Sequence, residues 1–248
     1  MCGRFVSAST PDELANYFGA LAPDPDLDDD HGETHRENYN VAPTSEVYAV
    51  RASDGQRTLA TLRWGLIPFW AKDSKVGYRM INARAESVAD KSAYRRAYTR
   101  RRCLIPADGF YEWAKVPGHK NKQPYYIYRP DGEPVVFAGL WERWTPKDDD
   151  GEYLDDETVE SCTIITTTPN EEMSAVHDRM PVLLPPSVWD EWLSPETDLD
   201  VIAGLLKPPP DGFLELRPVS TAVNNVRNNG AHLLEQEPNP LEPIEPSE

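Results

Sequence analysis

Three β-rich stretches follow one another between Cys103 and Trp141: CLIPADGFYEWAK (103–115), PYYIYR (124–129) and PVVFAGLW (134–141). Their β-branched and aromatic residues suit a pleated, packed surface, and Gly, Asp and Pro fill the turns between them. A chain with this centre has to build its core around sheet. Further strands are expected on either side. Residues 46–52 and 58–64 read as a pair joined at Ser53-Asp54-Gly55, a long strand opens at 158, and FLELRPVS (213–220) reads as the last. Helices are few and short. TPDELANYFG (10–19) has a capping Thr10, Pro11 in the first turn, Glu13 to close a capping box and Gly19 to end it. KSAYRRAYTR, begun at Asp90 or Ser92, turns Tyr94, Ala97 and Tyr98 inward and Arg95, Arg96 and Arg100 outward. Two more helices are expected at 185–193 and 198–206, the second stopped by Pro208-Pro209-Pro210. AVNNVRNNGAHL (222–233) reads as irregular.

The length, 248 residues, suits one large domain or two small ones. No run of about 18 apolar residues occurs, so no membrane span is expected. Without a leader segment, a soluble cytoplasmic protein is expected. Cys2, Cys103 and Cys162 are widely spaced with no C-x-x-C pair, which argues against a disulfide framework or a zinc site. Cys103 and Cys162 lie in apolar contexts and read as buried strand residues. Metal motifs, phosphate-binding glycine loops and repeats are absent, and no cofactor or metal is expected.

A net charge of −17 argues against a nucleic-acid partner until its distribution is considered. Residues 24–33, 148–157 and 235–248 hold 18 acids and no Lys or Arg, so the remainder is close to neutral. Between Arg79 and Arg102 eight bases face only Glu86 and Asp90. Such a block is either a solvated face or a phosphate-contacting one. The surface acid also fits adaptation to high salt, and the acidic, proline-rich end reads as disordered.

Cys2 follows Met1 directly, and so small a residue permits removal of the methionine. Cys2 would then carry a free α-amine and a thiol together. An α-amine titrates about 2.5 units below lysine, so it can attack an aldehyde at neutral pH. The adjacent sulfur can close the Schiff base into a thiazolidine, with effective molarities of about 10⁵–10⁸ M for such intramolecular steps. Cys2 as an ordinary small residue is the alternative. Alternation in GFYEW puts Phe110 and Glu112 on one face, which half-buries a carboxylate if that face is inward, either as a general acid or as a salt-bridged Glu. His177, between Val176 and Asp178 in a loop before a strand, is either structural or catalytic. Asn82 and Arg84, two apart on an extended segment, point the same way. Trp64 reads as core, whereas Phe69 and Trp70 beside Pro68 are placed either in the core or as a stacking surface for single-stranded nucleic acid.

Seven segments in order, MCGRF, YNVAPT, WGLIPFW, INARAES, CLIPADGFYEW, AVHDRMP and VSTAVNNVRNNG, resemble the SRAP family of abasic-site processing proteins, whose bacterial members are associated with the SOS response. The resemblance implies a single α+β domain over 1–233, a twisted β-barrel-like core flanked by helices, with 234–248 as a tail. It implies that Cys2 forms a thiazolidine cross-link with the ring-opened aldehyde of an abasic site in single-stranded DNA, protecting the strand and reversing slowly. Asn82 would orient the amine, while Glu112 and His177 would move protons. Arg4, Asn40, Arg84, Thr166 and Arg179 match DNA-contacting positions, with Pro43, Phe69 and Trp70 at the base-displacing edge. Phe69 stands where relatives can carry a second Trp. The acidic stretches at 24–33 and 146–157 lie outside the family pattern. A monomer is expected, with replication-fork proteins as possible partners. Two competing readings are a cysteine peptidase, including self-removal of Met1, and a non-covalent module that binds damaged DNA.

Overall fold

A computed structural model describes residues 2–22, 37–118, 120–148 and 150–239. The expected acidic loop at 24–33 and the end of the expected tail, from 240, lie outside them.

Among the described residues twelve strands form two sheets. In chain order they are β1 (Phe5–Ser7), β2 (Asn38–Val41), β3 (Glu46–Ser53), β4 (Gln56–Trp64), β5 (Asn82–Arg84) and β6 (Arg102–Ala107). Then come β7 (Gly109–Ala114), β8 (Gln123–Tyr128), β9 (Val135–Trp144), β10 (Val159–Thr167), β11 (Met180–Pro181) and β12 (Glu215–Pro218). The α-helices among the described residues are α1 (Pro11–Phe18), α2 (Arg95–Arg100), α3 (Glu171–Ser174), α4 (Trp189–Leu193) and α5 (Leu199–Leu205). One sheet runs β12-β8-β7-β1-β2. In the other, β4, β3, β6, β9 and β10 close on themselves, because β10 pairs antiparallel with β9 and parallel with β4. The result is a mixed five-stranded barrel, an α+β fold as expected.

Burial on both faces explains the apolar runs. Along β6, Cys103, Ile105 and Ala107 pack into one cluster with Phe5, Trp64, Phe110 and Phe137, while Leu104 faces a second one. That second cluster holds the helices: Leu14 and Phe18 of α1, Ala97 and Tyr98 of α2, Trp189 and Trp192 of α4. In α1 Thr10 accepts from Glu13 N–H, Glu13 accepts from Thr10 N–H at 2.8 Å, and Gly19 ends the helix at φ 56°. The β3–β4 hairpin turns at Asp54 and Gly55 with φ of 51° and 76°. Both features follow the sequence signals.

Three elements differ from expectation. The run 103–115 is two strands, since the Asp108 carboxylate accepts from Ala8 N–H and Ser9 N–H and the chain crosses there from the barrel to the other sheet. The second helix begins at Arg95, after turns in which Lys91 O accepts from Tyr94 and Arg95. The last strand is shortened to Glu215–Pro218. Residues beyond 233 continue along it, with Gln236 bridged to Val219 and Glu237 N–H donating to Pro218 O.

Candidate active site

The first residues reach the site through β1. It pairs antiparallel with β7, Phe5 opposite Phe110, and Tyr111 N–H donates to Arg4 O at 2.9 Å. The same register carried further sets Glu112 across from Gly3, next to Cys2. From the barrel side β5 lies parallel to β10, with Asn82 beside Ile164. Asn82 Nδ2 donates to the Cys2 carbonyl at 2.7 Å. Its own backbone is held as well: Tyr94 Oη donates to Asn82 O at 3.2 Å and Trp64 Nε1 to Ile81 O at 3.0 Å. Asn82 Oδ1 is buried without a hydrogen-bond partner among the described residues. Such an acceptor carries a desolvation cost of about 1–3 kcal/mol until a donor reaches it.

The Cys2 side chain is buried, and burial together with the Glu112 charge pushes its thiol up, so the sulfur stays protonated. Glu112 is 2% exposed, fully rather than half buried. Burial raises its pKa to about 7, with Lys122 among the charges opposing. At neutral pH it therefore both gives and takes protons. His177 Nε2 stands 3.9 Å from Glu112 Oε2. Burial, aided by Lys122, lowers the imidazole pKa and Asp178 opposes, so the ring is neutral at pH 7. Arg179 N–H donates to His177 Nδ1 at 3.0 Å, which assigns the ring proton to Nε2, facing Glu112. Asp178 Oδ1, 2.9 Å from Nδ1, accepts from the ring once it is protonated.

Around this pair lies a groove of about 470 Å³, lined by Arg84, Glu112, Trp113, Lys122 and the run His177 to Arg179. The expected DNA-contacting residues differ in how free they are. Arg84 is exposed at the groove. Arg179 is held: its Nη1 and Nη2 donate to the Glu86 carboxylate at 2.5 and 2.9 Å, and Nη2 also to Thr166 O at 2.6 Å. Thr166 itself is fully buried, behind Arg179. Arg4 Nη1 donates to Asn40 Oδ1 at 2.6 Å and Val223 O at 2.9 Å, and its guanidinium lies over the Trp113 ring. Asn40 Nδ2 in turn donates to Val223 O, Asn225 O and Asn228 O. These two residues thus fix the Asn-rich 222–229 segment against the groove wall.

Phe69 and Trp70 are 46% and 52% exposed, while Trp64 is core. They do not line the groove; they project from a loop that starts at Gly65, where φ is +130° and a Cβ would lie 2.7 Å from Gly77 O. Arg96 covers the Phe69 ring at 4.6 Å. Pro43 sits in the turn before β3, next to Thr44, which donates to Trp64 O at 2.8 Å. The arginine-rich block is split in use. Arg95, Arg96 and Arg100 are exposed, but Arg102 is buried and donates to the carbonyls of Trp192, Tyr98, Thr99 and Ser194. Arg101 pairs with the buried Glu142. Trp113, Lys122 and Glu86 were not among the expected site residues. Alternation in GFYEW sets Trp113 on the face away from Glu112, and nothing local marked Lys122 as a groove residue or Glu86 as the partner of an arginine 93 residues away.

Among the described residues no group of three or more His, Cys, Asp or Glu side chains gathers as a metal site, and no helix is long and apolar enough to cross a membrane. The barrel, the β1–β7 pairing that carries Cys2 and the Asn82, Glu112 and His177 beside it define a class. Residues 1–226 match the family model for SRAP, SOS response associated peptidase, and the chain belongs to that family. It is 43% identical over 240 residues to abasic site processing protein YoaM of Bacillus subtilis (strain 168), covering 96% of this chain and 99% of the relative. Abasic site processing protein YedK of Escherichia coli (strain K12) is 32% identical, covering 95% of this chain and 99% of the relative. A crystal structure of a protein from Bacteroides thetaiotaomicron matches with a TM-score of 0.82 at 25% identity, over 95% of this chain and 100% of that one.

Proposed function

We propose that this chain, freed of Met1, captures abasic sites in single-stranded DNA as a thiazolidine on Cys2. The observation that carries the reading is the Asn82–Cys2 hydrogen bond, with Glu112 close enough to act on the Cys2 thiol and the Glu112–His177 pair lining a groove shared with Arg84 and Lys122. The names of the relatives, abasic site processing proteins, support the substrate. The α-amine adds to C1′ of the ring-opened sugar, giving a carbinolamine. Protonated Glu112 then supplies the proton with which the hydroxyl leaves as water, and an iminium remains. Asn82 Oδ1 accepts from the amine and holds it on that face. The Cys2 thiol adds to the iminium carbon while its proton passes to Glu112 or neutral His177, so one water is lost overall. The same groups run the sequence backwards when the protein releases the DNA.

Protein with Cys2 at its terminus, mixed with a single-stranded oligonucleotide bearing one abasic site, is expected to gain that oligonucleotide's mass less one water and to survive a denaturing gel. Cys2→Ala is expected to give no such species. Adduct from Cys2→Ala, or release of peptide fragments with no adduct from wild type, would overturn the reading.

A further inference from the structure

The loop joining β7 to β8, residues 115–122, reads KVPGHKNK and carries three lysines without an acid. In a chain of net charge −17 this is a second concentration of cation, outside the arginine-rich block. Lys115, Lys120 and Lys122 are exposed, and among the described residues none makes an ion pair. Buried Val116 and the Ala114–Gln123 pair anchor the base of the loop. Lys122 lines the groove with Glu112 and His177. The loop rises from the sheet that holds β1, whereas Arg84 comes from β5 on the barrel side. Cation is thus offered from both sides of the groove, and the two sides differ. Glu86 already occupies the Arg179 fork, while the lysine ammoniums are unspent.

We infer that Lys115, Lys120 and Lys122 form a second phosphate-binding wall, which follows the backbone of single-stranded DNA across from Arg84. This rests on reading the groove as a single-strand site. A lysine is a point charge on a flexible stem and asks no fixed geometry of a phosphate. That suits a strand whose path changes with sequence. Lys122 lines the groove with Glu112 and His177, and its charge opposes the rise at Glu112 and adds to the fall at His177.

The test is a triple variant, Lys115→Gln with Lys120→Gln and Lys122→Gln, titrated with an intact single-stranded oligonucleotide across a salt series. At about 0.7 per phosphate contact on single strands, the slope of log K against log salt is expected to shrink by about 2. Lys207→Gln, outside the groove, is expected to keep the wild-type slope. Thermal unfolding equal to wild type shows that the loop, not the fold, has been changed. A wild-type slope in the triple variant overturns the inference. Absence of any adduct from wild-type protein would sink the thiazolidine reading, yet leave the slope measurement able to decide this one.

Discussion

Cys2 and the pair Cys103 and Cys162 are all without solvent exposure, and all three pack into the same apolar cluster. Burial pushes all three thiols up. What separates them is the company each keeps. Cys103 packs over Gly139 beside Ile105, with its carbonyl accepting from Trp192 Nε1 at 2.9 Å, and Cys162 O accepts from Gly65 N–H. Around Cys2, by contrast, stand an amide donor, a carboxyl titrating near neutrality and, beyond it, an imidazole. Burial by itself makes a thiol inert. A buried thiol with groups that can move its proton is a different object.

The largest effect should come from separating the amine of Cys2 from its sulfur. Cys2→Ser keeps the amine but replaces the ring-closing thiol with a weaker nucleophile. Heat-stable adduct is expected to vanish, while borohydride still traps a Schiff base to abasic DNA. Stable adduct from the serine variant at wild-type levels, with no reductant, would remove sulfur from the account.

Glu112→Gln comes next. Loss of a positioned acid and base is expected to slow adduct formation by about 10²–10⁴-fold. In wild type the acid form of Glu112 disappears as pH rises through about 7, so the rate should fall there. In the variant that limb should be absent. Stability gives an independent check. The folded-state pKa is raised, so the unfolded chain loses its proton first, and stability declines as pH climbs from about 4.5 to about 7. The Gln variant should escape that decline, on the order of 3 kcal/mol. A wild type whose stability is level across this window would show that Glu112 is not held protonated.

Much of the arrangement was legible because it is local. Capping signals marked α1, the Ser53-Asp54-Gly55 turn marked the β3–β4 hairpin, and alternation in GFYEW separated Glu112 from Tyr111. The degree of Glu112 burial was not legible, because it depends on β1 and the barrel closing over β7 from distant parts of the chain. Nor was the division among the arginines. Arg84, Arg101 and Arg102 look alike in sequence, and only packing decides that Arg102 serves four carbonyls while Arg84 stays at the groove. The break at Asp108 was hidden for the same reason, since its partners Ala8 and Ser9 are a hundred residues away.

The smallest effect on chemistry, and the sharpest control on the comparison, belongs to Cys103→Ala. Removing one buried sulfur should cost about 1 kcal/mol of stability, read as a shifted denaturation midpoint with an unchanged slope. The barrel has strands on both sides of Cys103, so little collapse can fill the space beside Ile105. Adduct yield and rate under folding conditions should equal those of wild type, because the Cys103 sulfur lies against Gly139 within the barrel. If Cys103→Ala were fully folded and yet slow to cross-link, the distinction between an inert and an assisted thiol would fail, and the reactive sulfur would have to be sought in the barrel.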